Sequence, residues 1–168
     1  TVTDVSIDLN SAQGARVTLV LDGDPTFDGE DDSTSTDHSL SLRRSGSAII
    51  VDGIGTSFNL IDAARHHFVQ IQSGKGDDRL DTSSLGRLDP VLQLYGGEGT
   101  DTFVLGRARE SIFGEGGFED SESLADLVDY GASASAVTVD LESGRGYGGA
   151  AQGDTYASVA YATGSAFG

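Results

Sequence analysis

A nine-residue pattern occurs twice in this chain and constrains its fold more than any other feature. Residues 73–81 read Ser-Gly-Lys-Gly-Asp-Asp-Arg-Leu-Asp, and residues 96–104 read Gly-Gly-Glu-Gly-Thr-Asp-Thr-Phe-Val. The shared form is Gly-Gly-x-Gly-x-Asp-x-U-x, where U is a large apolar residue, and the first copy departs from it only at Ser73. The glycines permit tight turns, the aspartate adds a carboxylate to a loop of carbonyl groups, and the apolar residue enters a core. The pattern therefore predicts a loop followed by a short buried strand, made twice.

Short apolar strands recur between glycines along the middle of the chain. The turn glycines Gly53, Gly74, Gly97 and Gly116 are 21, 23 and 19 residues apart. A spacing of about twenty residues suits one coil of a solenoid, in which similar turns stack on one another. The 24 glycines and 2 prolines, with no tryptophan and no methionine, favour strands and tight turns over helices. We therefore expect an all-β fold, a parallel β-solenoid of the β-roll or β-helix type.

The repeated pattern resembles the RTX family of hemolysin-type calcium-binding repeats, whose motif forms calcium-binding turns in a parallel β-helix. The resemblance implies that the aspartates at the sixth position, Asp78 and Asp101, are the main side-chain ligands of calcium. The remaining candidates are loop carbonyls and two further acidic residues of the same loops: Gly74, Gly76, Gly97, Gly99, Asp77 and Glu98. Only two good copies occur, so we expect about one to three bound ions.

Stacked loops would bring the two carboxylates together. Neighbouring parallel strands lie about 4.8 Å apart, so the loop at 74–78 should lie against the loop at 97–101, and Asp78 should nearly face Asp101. Two carboxylates at that distance repel by roughly 3 kcal/mol at an effective dielectric constant near 20. Calcium reverses the sign of this interaction, and it accepts about six to eight oxygen ligands in a flexible geometry that carbonyl-rich turns can supply. Calcium is therefore the expected cofactor and would be part of the fold.

The charge balance restricts the partners. The formal net charge is −17, from 27 acidic and 10 basic residues, so a polyanion such as nucleic acid would be repelled at long range. The absence of cysteine excludes disulfides and thiolate metal sites, so a secreted chain would need another stabiliser, such as a metal. No stretch approaches the roughly 20 apolar residues of a membrane span, and no signal peptide opens the chain. Because Thr1 is not an initiator and the chain stops after an apparent repeat, we expect a segment of a longer secreted or cell-surface protein.

The length of 168 residues predicts one domain with three parts. Residues 1–38 hold two strands and an acidic loop, and we expect them to form a cap. Residues 39–120 hold the regular coils with the repeats. Residues 121–168 resemble segments that lie between RTX repeats, and we expect them to form truncated coils; here residues 126–130 suit a strand, with a helix beginning at Ser121 as the alternative. Open strand edges predict a monomer or weak self-association through the ends.

An acidic run in the N-terminal part offers a second metal site. Asp22, Asp24 and Asp28 lie in a polar stretch that continues to Asp37. Their spacing does not match the twelve-residue EF-hand loop, so a solvated acidic loop is the favoured interpretation and a calcium site is the alternative.

Enzyme motifs are missing from the sequence. No His-Glu-x-x-His, Gly-x-Ser-x-Gly or P-loop pattern occurs, so metalloproteases, serine hydrolases and nucleotide hydrolases lack their minimal parts. The pair His66 and His67 cannot share one ion, because adjacent residues on a strand face opposite sides. Asp62, Arg65 and His67 remain a candidate catalytic face of a polysaccharide-active β-helix, although the spacing does not require it.

The sequence therefore predicts a non-enzymatic, calcium-binding structural module of a secreted or cell-surface bacterial RTX protein of the adhesin type. Its candidate partners are calcium ions and a cell-surface polysaccharide or protein. Two alternatives stay open: an accessory module of a secreted polysaccharide-active enzyme or protease, and a glycan-binding solenoid.

Overall fold

The computed structural model describes residues 4–8, 16–20, 37–46, 48–53, 57–61, 68–87, 91–114 and 125–167. Nearly all regular structure in these ranges is β-strand, as the glycine-rich composition predicted, and the strands form two sheets. A short 3₁₀ turn occupies Gly149–Ala151. No helix in the described ranges is long and apolar enough to cross a membrane.

Within the described ranges, the first sheet has eight strands: β1 (Asp4–Asp8), β3 (Ser39–Ser45), β4 (Ala48–Asp52), β5 (Ser57–Ile61), β7 (Arg79–Asp81), β9 (Thr102–Val104), β11 (Leu127–Asp129) and β15 (Tyr161–Thr163). Their order across the sheet is β1-β5-β4-β3-β7-β9-β11-β15. Strands β3, β7, β9, β11 and β15 pair in parallel, whereas β4 is antiparallel to both β3 and β5.

The second sheet has seven strands in the part of the chain that the structure describes: β2 (Arg16–Val20), β6 (Phe68–Lys75), β8 (Val91–Glu98), β10 (Glu110–Phe113), β12 (Thr138–Asp140), β13 (Arg145–Tyr147) and β14 (Thr155–Ala157). Their order is β12-β13-β14-β10-β8-β6-β2. The run from β2 through β6, β8 and β10 to β14 is parallel, and β12, β13 and β14 are antiparallel neighbours.

The expectation of a parallel β-solenoid, whether β-roll or β-helix, is wrong. Both sheets mix parallel and antiparallel pairs, and neither sheet is closed by the strands that the structure describes. The physical reason is the tight turn after β3, where Ser45 pairs with Ala48 across a two-residue connection that begins at Gly46. Gly46 has a φ of 63°, the left-handed conformation that such hairpin turns need, so the chain returns beside β3 instead of advancing to the next coil. A second reversal joins β12 to β13.

The hydrophobic core is formed by inward-facing residues that lie in register on successive strands. These residues are fully or almost fully buried and belong to one cluster that both sheets share: Leu40, Leu80, Phe103 and Val128 from the first sheet, and Val69, Ile71, Leu92, Leu94 and Ile112 from the second. Burial of each such side chain stabilises the fold by about 1.5–3 kcal/mol. Because inward and outward positions alternate along each strand, the register of the core also fixes which polar residues point inward.

The C-terminal part contains the strand that the sequence favoured over a helix. Strand β11 covers Leu127–Asp129 and lies parallel to β9. Its buried Val128 pairs with Phe103, and Asp126 and Tyr130 on either side are also buried. Alternation with a period of two is therefore the correct interpretation of this segment.

Candidate metal centre

The two repeat loops lie side by side. Strands β6 and β8 are parallel, and their register places Gly74 opposite Gly97 and Lys75 opposite Glu98. The Gly74 carbonyl oxygen lies 1.8 Å from the point where a Cβ atom on Gly97 would stand, and Gly97 has a φ of 112°. A side chain at Gly97 would therefore both strain the backbone and collide with the neighbouring loop. The repeat glycines allow the loops to approach this closely.

The aspartates at the sixth position of the repeats point into the molecule. Asp78 is 2% exposed and Asp101 is 0% exposed. The backbone N–H of Asp78 donates a hydrogen bond of 2.9 Å to Asp101 Oδ1, and the N–H of Asp101 donates one of 2.8 Å to Asp126 Oδ1. The N–H of His38 donates to Asp78 Oδ1 at 2.6 Å. Asp78, Asp101 and Asp126 thus form a row, called here the aspartate row. The carboxylate of Asp101 or Asp126 accepts a hydrogen bond from the backbone amide of the aspartate before it in the row, and that of Asp78 accepts one from the amide of His38.

This arrangement differs from two carboxylates that face each other. The contact between neighbouring layers is made from main-chain amide to carboxylate, so each aspartate already stabilises its neighbour without a metal. The structure also adds a member that sequence analysis missed, since Asp126 does not belong to a complete repeat. The available signal was its position, because Asp126, Val128 and Tyr130 alternate on the inward side of β11 and the residues that flank it.

The other two acidic candidates lie on the outside of the loops. Asp77 is exposed, and its Oδ1 accepts the N–H of Thr100 at 2.8 Å. Glu98 is exposed and pairs with Lys75, with 3.7 Å between Oε1 and Nζ. The carbonyl oxygen of Glu98 accepts the N–H of Gly76 at 2.7 Å. These residues connect the two loops, but they are separate from the aspartate row.

Burial disfavours the negatively charged form of the carboxylates in the aspartate row. Burial raises the pKa of Asp101 to about 7, and the hydrogen bond from the Asp78 amide opposes this shift, while the charges of Asp126, Asp78 and Asp77 add to it. Burial also raises the pKa of Asp78, against the hydrogen bond from the His38 amide. The His38 ring approaches the row, with 3.2 Å between Nδ1 and Asp78 Oδ1. The row therefore favours whatever neutralises it, a proton or a cation.

The unpartnered oxygen atoms of the aspartate row are the candidate ligands of a cation. Asp78 Oδ2 and Asp101 Oδ2 are buried and have no hydrogen-bond partner in the described structure. Asp101 Oδ2 and the Gly114 carbonyl oxygen lie 1.9 Å and 2.8 Å from the point where a Cβ atom on Gly96 would stand. A carboxylate and a main-chain carbonyl thus converge on the first glycine of the repeat, and both are oxygen ligands of the kind that calcium prefers.

Side chains alone do not complete a metal site here. Within the described ranges, no group of three or more His, Cys, Asp or Glu side chains is placed to hold one ion. A cation at the aspartate row would therefore need main-chain carbonyl oxygens as well as two carboxylates. This donor set fits calcium better than magnesium, which requires a near-ideal octahedron, and better than zinc, which prefers nitrogen and sulfur ligands.

A second buried polar group lies near the C-terminal strands, and sequence analysis did not find it. It is called here the buried acid cluster and contains Thr82, Glu110, Tyr130, Asp154 and Tyr156. Asp154 Oδ1 accepts the N–H of Glu110 at 3.0 Å, and Asp154 Oδ2 accepts the hydroxyl of Tyr130 at 2.5 Å. The two tyrosine hydroxyls are 2.6 Å apart, and the Thr82 hydroxyl donates to Glu110 Oε1.

Burial dominates the electrostatics of the buried acid cluster. It raises the pKa of Glu110 well above its usual range, and the neighbouring charge of Asp154 adds to the shift. It also raises the pKa of Asp154, to about 6, although the Tyr130 hydroxyl and the Glu110 amide oppose the change. The sequence carries one signal for this cluster, which is the two-residue spacing of inward positions. Glu110 and Ile112 are two residues apart and both buried, and the same holds for Asp154 and Tyr156.

The remaining sequence candidates lie outside the described residues: Asp22, Asp24, Asp28, Asp62, Arg65, His66, His67 and the turn at Gly116. We found no match to the chain among protein-family models, curated proteins or solved structures. The resemblance of the two repeats to the RTX motif therefore stays a prediction from the sequence.

Proposed function

We propose that this chain is a calcium-binding structural module of a secreted or cell-surface protein, with the RTX-like repeat loops as the calcium site. One observation carries the proposal: the two repeat aspartates, Asp78 and Asp101, lie buried in one row, and each keeps a carboxylate oxygen that has no hydrogen-bond partner among the described residues. An unsatisfied buried oxygen costs about 1–3 kcal/mol, and more when it is charged. A bound cation would remove this cost and offset the repulsion within the row.

The donor set supports calcium in particular. Oxygen atoms from Asp101 and from the Gly114 carbonyl converge beside Gly96. The Gly74 carbonyl is directed at the neighbouring loop. Calcium would supply positive charge to these oxygens, and the residues of the two loops together with Gly114 would hold it. The proposed role of this ion is structural: it would neutralise buried oxygens, and no reaction is proposed for it.

Calcium would couple stability to location. A site with a Kd of about 10–100 μM adds roughly 1.4–2.7 kcal/mol at millimolar calcium, the level outside cells, by the relation RT ln(1 + [L]/Kd). At submicromolar calcium, the level inside cells, the same site adds almost nothing. The chain would then be least stable before export and most stable afterwards, as suits a module of an adhesin-like surface protein.

Thermal unfolding in calcium, in magnesium and in chelator tests the proposal. For a chain of this size, 1 kcal/mol shifts the Tm by about 2–4 °C, so calcium should raise the Tm by about 3–11 °C over chelator, and magnesium should raise it less. The double variant Asp78→Asn/Asp101→Asn should lose most of this response, because the amide keeps the acceptor oxygen but not the charge. Asp129→Asn is the matched control, since the Asp129 side chain lies outside the aspartate row and accepts the nearby Gly131 N–H at 2.8 Å.

Two results would contradict the proposal. Equal Tm values in calcium and in chelator would show that calcium is not part of this fold. A full calcium response in the double variant, equal to that of Asp129→Asn, would show that the ions bind elsewhere than the aspartate row.

A further inference from the structure

The C-terminal strands of the second sheet belong to an excursion of the chain between two strands of the first sheet. Strands β11 and β15 are direct neighbours in the first sheet, and their register pairs Leu127 with Tyr161 and Asp129 with Thr163. The chain between them, residues 131–157, carries β12, β13, β14 and the 3₁₀ turn, and it is called here the C-terminal flap. Because β11 and β15 already hold its two ends near each other, the flap can leave the second sheet without breaking a strand pair of the first.

The C-terminal flap joins the second sheet through one strand pair. Strand β12 pairs with β13 and β13 with β14, and among the described strands only β14 reaches the rest of the sheet, where it lies parallel to β10. This pairing is short, from Ser111 with Thr155 to Phe113 with Ala157. The contact between β10 and β14 is therefore the one that must break for the flap to open.

The flap buries little apolar surface. Its buried hydrophobic residues are Ala150, Ala151 and Tyr156, whereas the strands before it bury leucine, isoleucine, valine and phenylalanine side chains. Three more of its side chains are only partly buried against the core: Val137, Val139 and Leu141. An alanine side chain is a single methyl group, so hydrophobic burial holds the flap less firmly than it holds the core strands.

The buried acid cluster lies at this attachment and connects its two sides. Asp154 and Tyr156 belong to the flap, whereas Glu110 lies on β10 and Tyr130 lies directly after β11. Asp154 accepts the Glu110 amide at 3.0 Å and the Tyr130 hydroxyl at 2.5 Å, and the hydroxyls of Tyr130 and Tyr156 are 2.6 Å apart. These polar contacts all cross from the flap to the rest of the molecule, so they supply the attachment that the small apolar contact does not.

No positive charge offsets the two carboxyl groups of the cluster. Glu110 Oε2 is buried and has no hydrogen-bond partner among the described residues. Within the same residues, no ion pair joins Glu110 or Asp154 to a basic side chain. Arg109, the residue before Glu110, is exposed, and its methylene groups lie beside Gly153. Two ionised carboxylates in this cluster would therefore repel each other in a buried place.

The direction of the pH effect follows from the titratable groups that face one another here. Burial raises the pKa of Glu110 well above its usual range and that of Asp154 to about 6. Burial also raises the pKa of the Tyr130 and Tyr156 hydroxyls, so both stay neutral at physiological pH. Carboxyl groups with a raised pKa favour the closed flap at acidic pH, and this contribution is lost as the pH rises through the folded-state pKa.

We propose that the C-terminal flap is a proton-controlled element, closed on β10 while the buried acid cluster holds a proton and opening as a unit when both carboxyl groups ionise. The first sheet stays intact in the open state, because β11 and β15 remain paired. Opening brings both carboxylates into water and exposes the edge of β10. The aspartate row takes no part in this change.

Native-state labelling of single cysteines tests the proposal, because the chain has no cysteine of its own. Ala151→Cys places a thiol in the flap at a position that is 0% exposed, and Ala108→Cys is the matched control at a core position outside the flap that is 1% exposed. The labelling rate with methyl methanethiosulfonate, divided by the rate for the same variant unfolded in urea at the same pH, gives the open fraction. The measurements are made at pH 5, 6.5 and 8 at one calcium concentration.

The open fraction at the Ala151→Cys thiol should rise steeply with pH. The shift of the Asp154 pKa from 3.8 to about 6 alone accounts for about a tenfold rise from pH 5 to pH 8, and Glu110 adds to it. Added Glu110→Gln should reduce the rise to about tenfold, and added Glu142→Gln, which changes an exposed carboxyl group of the flap, should leave it unchanged. The open fraction at the Ala108→Cys thiol should change by less than about threefold.

Hydrogen exchange of the unmodified chain is the second measurement, so the test does not depend on the folding of Ala151→Cys. The amides of Glu110 and Gly114 donate to acceptors in the flap, Asp154 Oδ1 and the Ala157 carbonyl oxygen, each at 3.0 Å. After correction for intrinsic exchange rates, both should lose protection about tenfold or more from pH 5 to pH 8. The Tyr130 amide, which donates to the Thr163 carbonyl at 2.9 Å between β11 and β15, should keep its protection.

Three outcomes would overturn the proposal. An open fraction that does not rise from pH 5 to pH 8 would show that the acid cluster does not control the flap. Equal rises at the two thiols would show that the whole molecule opens, and a rise in Glu110→Gln as large as in the original chain would remove Glu110 from the mechanism. Failure of the calcium test would leave this proposal intact, and failure here would leave the calcium site intact.

Discussion

The variant Glu110→Gln should change the pH dependence of stability in a way that follows from the buried acid cluster. Asp154 accepts two hydrogen bonds, from the Glu110 amide and the Tyr130 hydroxyl. Glu110 accepts one, from Thr82, and its Oε2 is buried without a hydrogen-bond partner in the described structure. The ionised form is therefore better supported at Asp154, and Glu110 is the group that keeps a proton.

The sign of the effect follows from the two raised pKa values. Both folded-state pKa values lie above the unfolded values of 3.8 for Asp154 and 4.5 for Glu110. The contribution of such groups to the free energy of unfolding is complete at acidic pH and is lost as the pH rises through the folded-state pKa. For Asp154, the pKa shift from 3.8 to about 6 is worth roughly 3 kcal/mol, at 1.36 kcal/mol per pKa unit. About half of this is lost between pH 5 and pH 8, and Glu110 loses stability in the same direction.

Glutamine at position 110 keeps the shape of the side chain but never ionises. The variant should therefore equal the original chain near pH 5, within about 1 kcal/mol, and exceed it near pH 8 by about 1–3 kcal/mol. The free energy of unfolding in urea, measured by circular dichroism in chelator at pH 5, 6.5 and 8, gives both values. Glu142→Gln is the control, because Glu142 is exposed and the same substitution there should have no pH-dependent effect. A stability difference between Glu110→Gln and the original chain that stays constant from pH 5 to pH 8 would refute this reasoning.

Two further substitutions test the packing of the repeats. Gly97→Ala places a Cβ atom 1.8 Å from a carbonyl oxygen of the neighbouring loop at a φ of 112°, so urea unfolding should show a loss of at least about 2 kcal/mol, whereas Gly86→Ala, which meets nothing within 4 Å, should stay within about 0.5 kcal/mol. Phe103→Ala removes a fully buried ring between Leu80 and Val128 and should cost about 3–5 kcal/mol in the same assay. Equal midpoints for the two glycine variants, or a loss below about 1 kcal/mol for Phe103→Ala, would contradict the described register.

The parallel contact between the two repeats could be predicted from the sequence. Gly74 and Gly97 are 23 residues apart, and the structure pairs them directly. The prediction succeeds because one local pattern specifies both the loop and the inward residue that follows it. Two copies of the pattern then bury their apolar residues best when they lie side by side in the same register.

The direction of the other strands could not be predicted in this way. A glycine marks a turn whether the chain advances to a new layer or reverses, so Gly46 and Gly53 look alike in the sequence. The outcome depends on the backbone conformation at Gly46 and on the pairing of Ser45 with Ala48. Neither can be read from the local sequence pattern. The predicted fold class was therefore correct in being all-β and wrong in being a parallel β-solenoid.

The two buried polar groups show a similar limit. Glu110 and Asp126 each occupy an inward position that an apolar residue would ordinarily take, and this parity was visible in the sequence. Their partners were not visible, because Asp154 is 44 residues from Glu110 and meets it only through the pairing of β10 with β14. Long-range register, rather than local pattern, decides which buried acids meet.

The hydrogen bonds of the aspartate row all have the same direction along the chain, from an earlier donor to a later acceptor. The amide of His38 is accepted by Asp78, that of Asp78 by Asp101, and that of Asp101 by Asp126, so the acceptor always lies further along the chain than the donor. A growing chain is made from its N-terminus, and earlier segments therefore emerge while their acceptors do not yet exist. The backbone amides of His38, Asp78 and Asp101 therefore gain their hydrogen-bond acceptor only after a later segment of the chain has been synthesised.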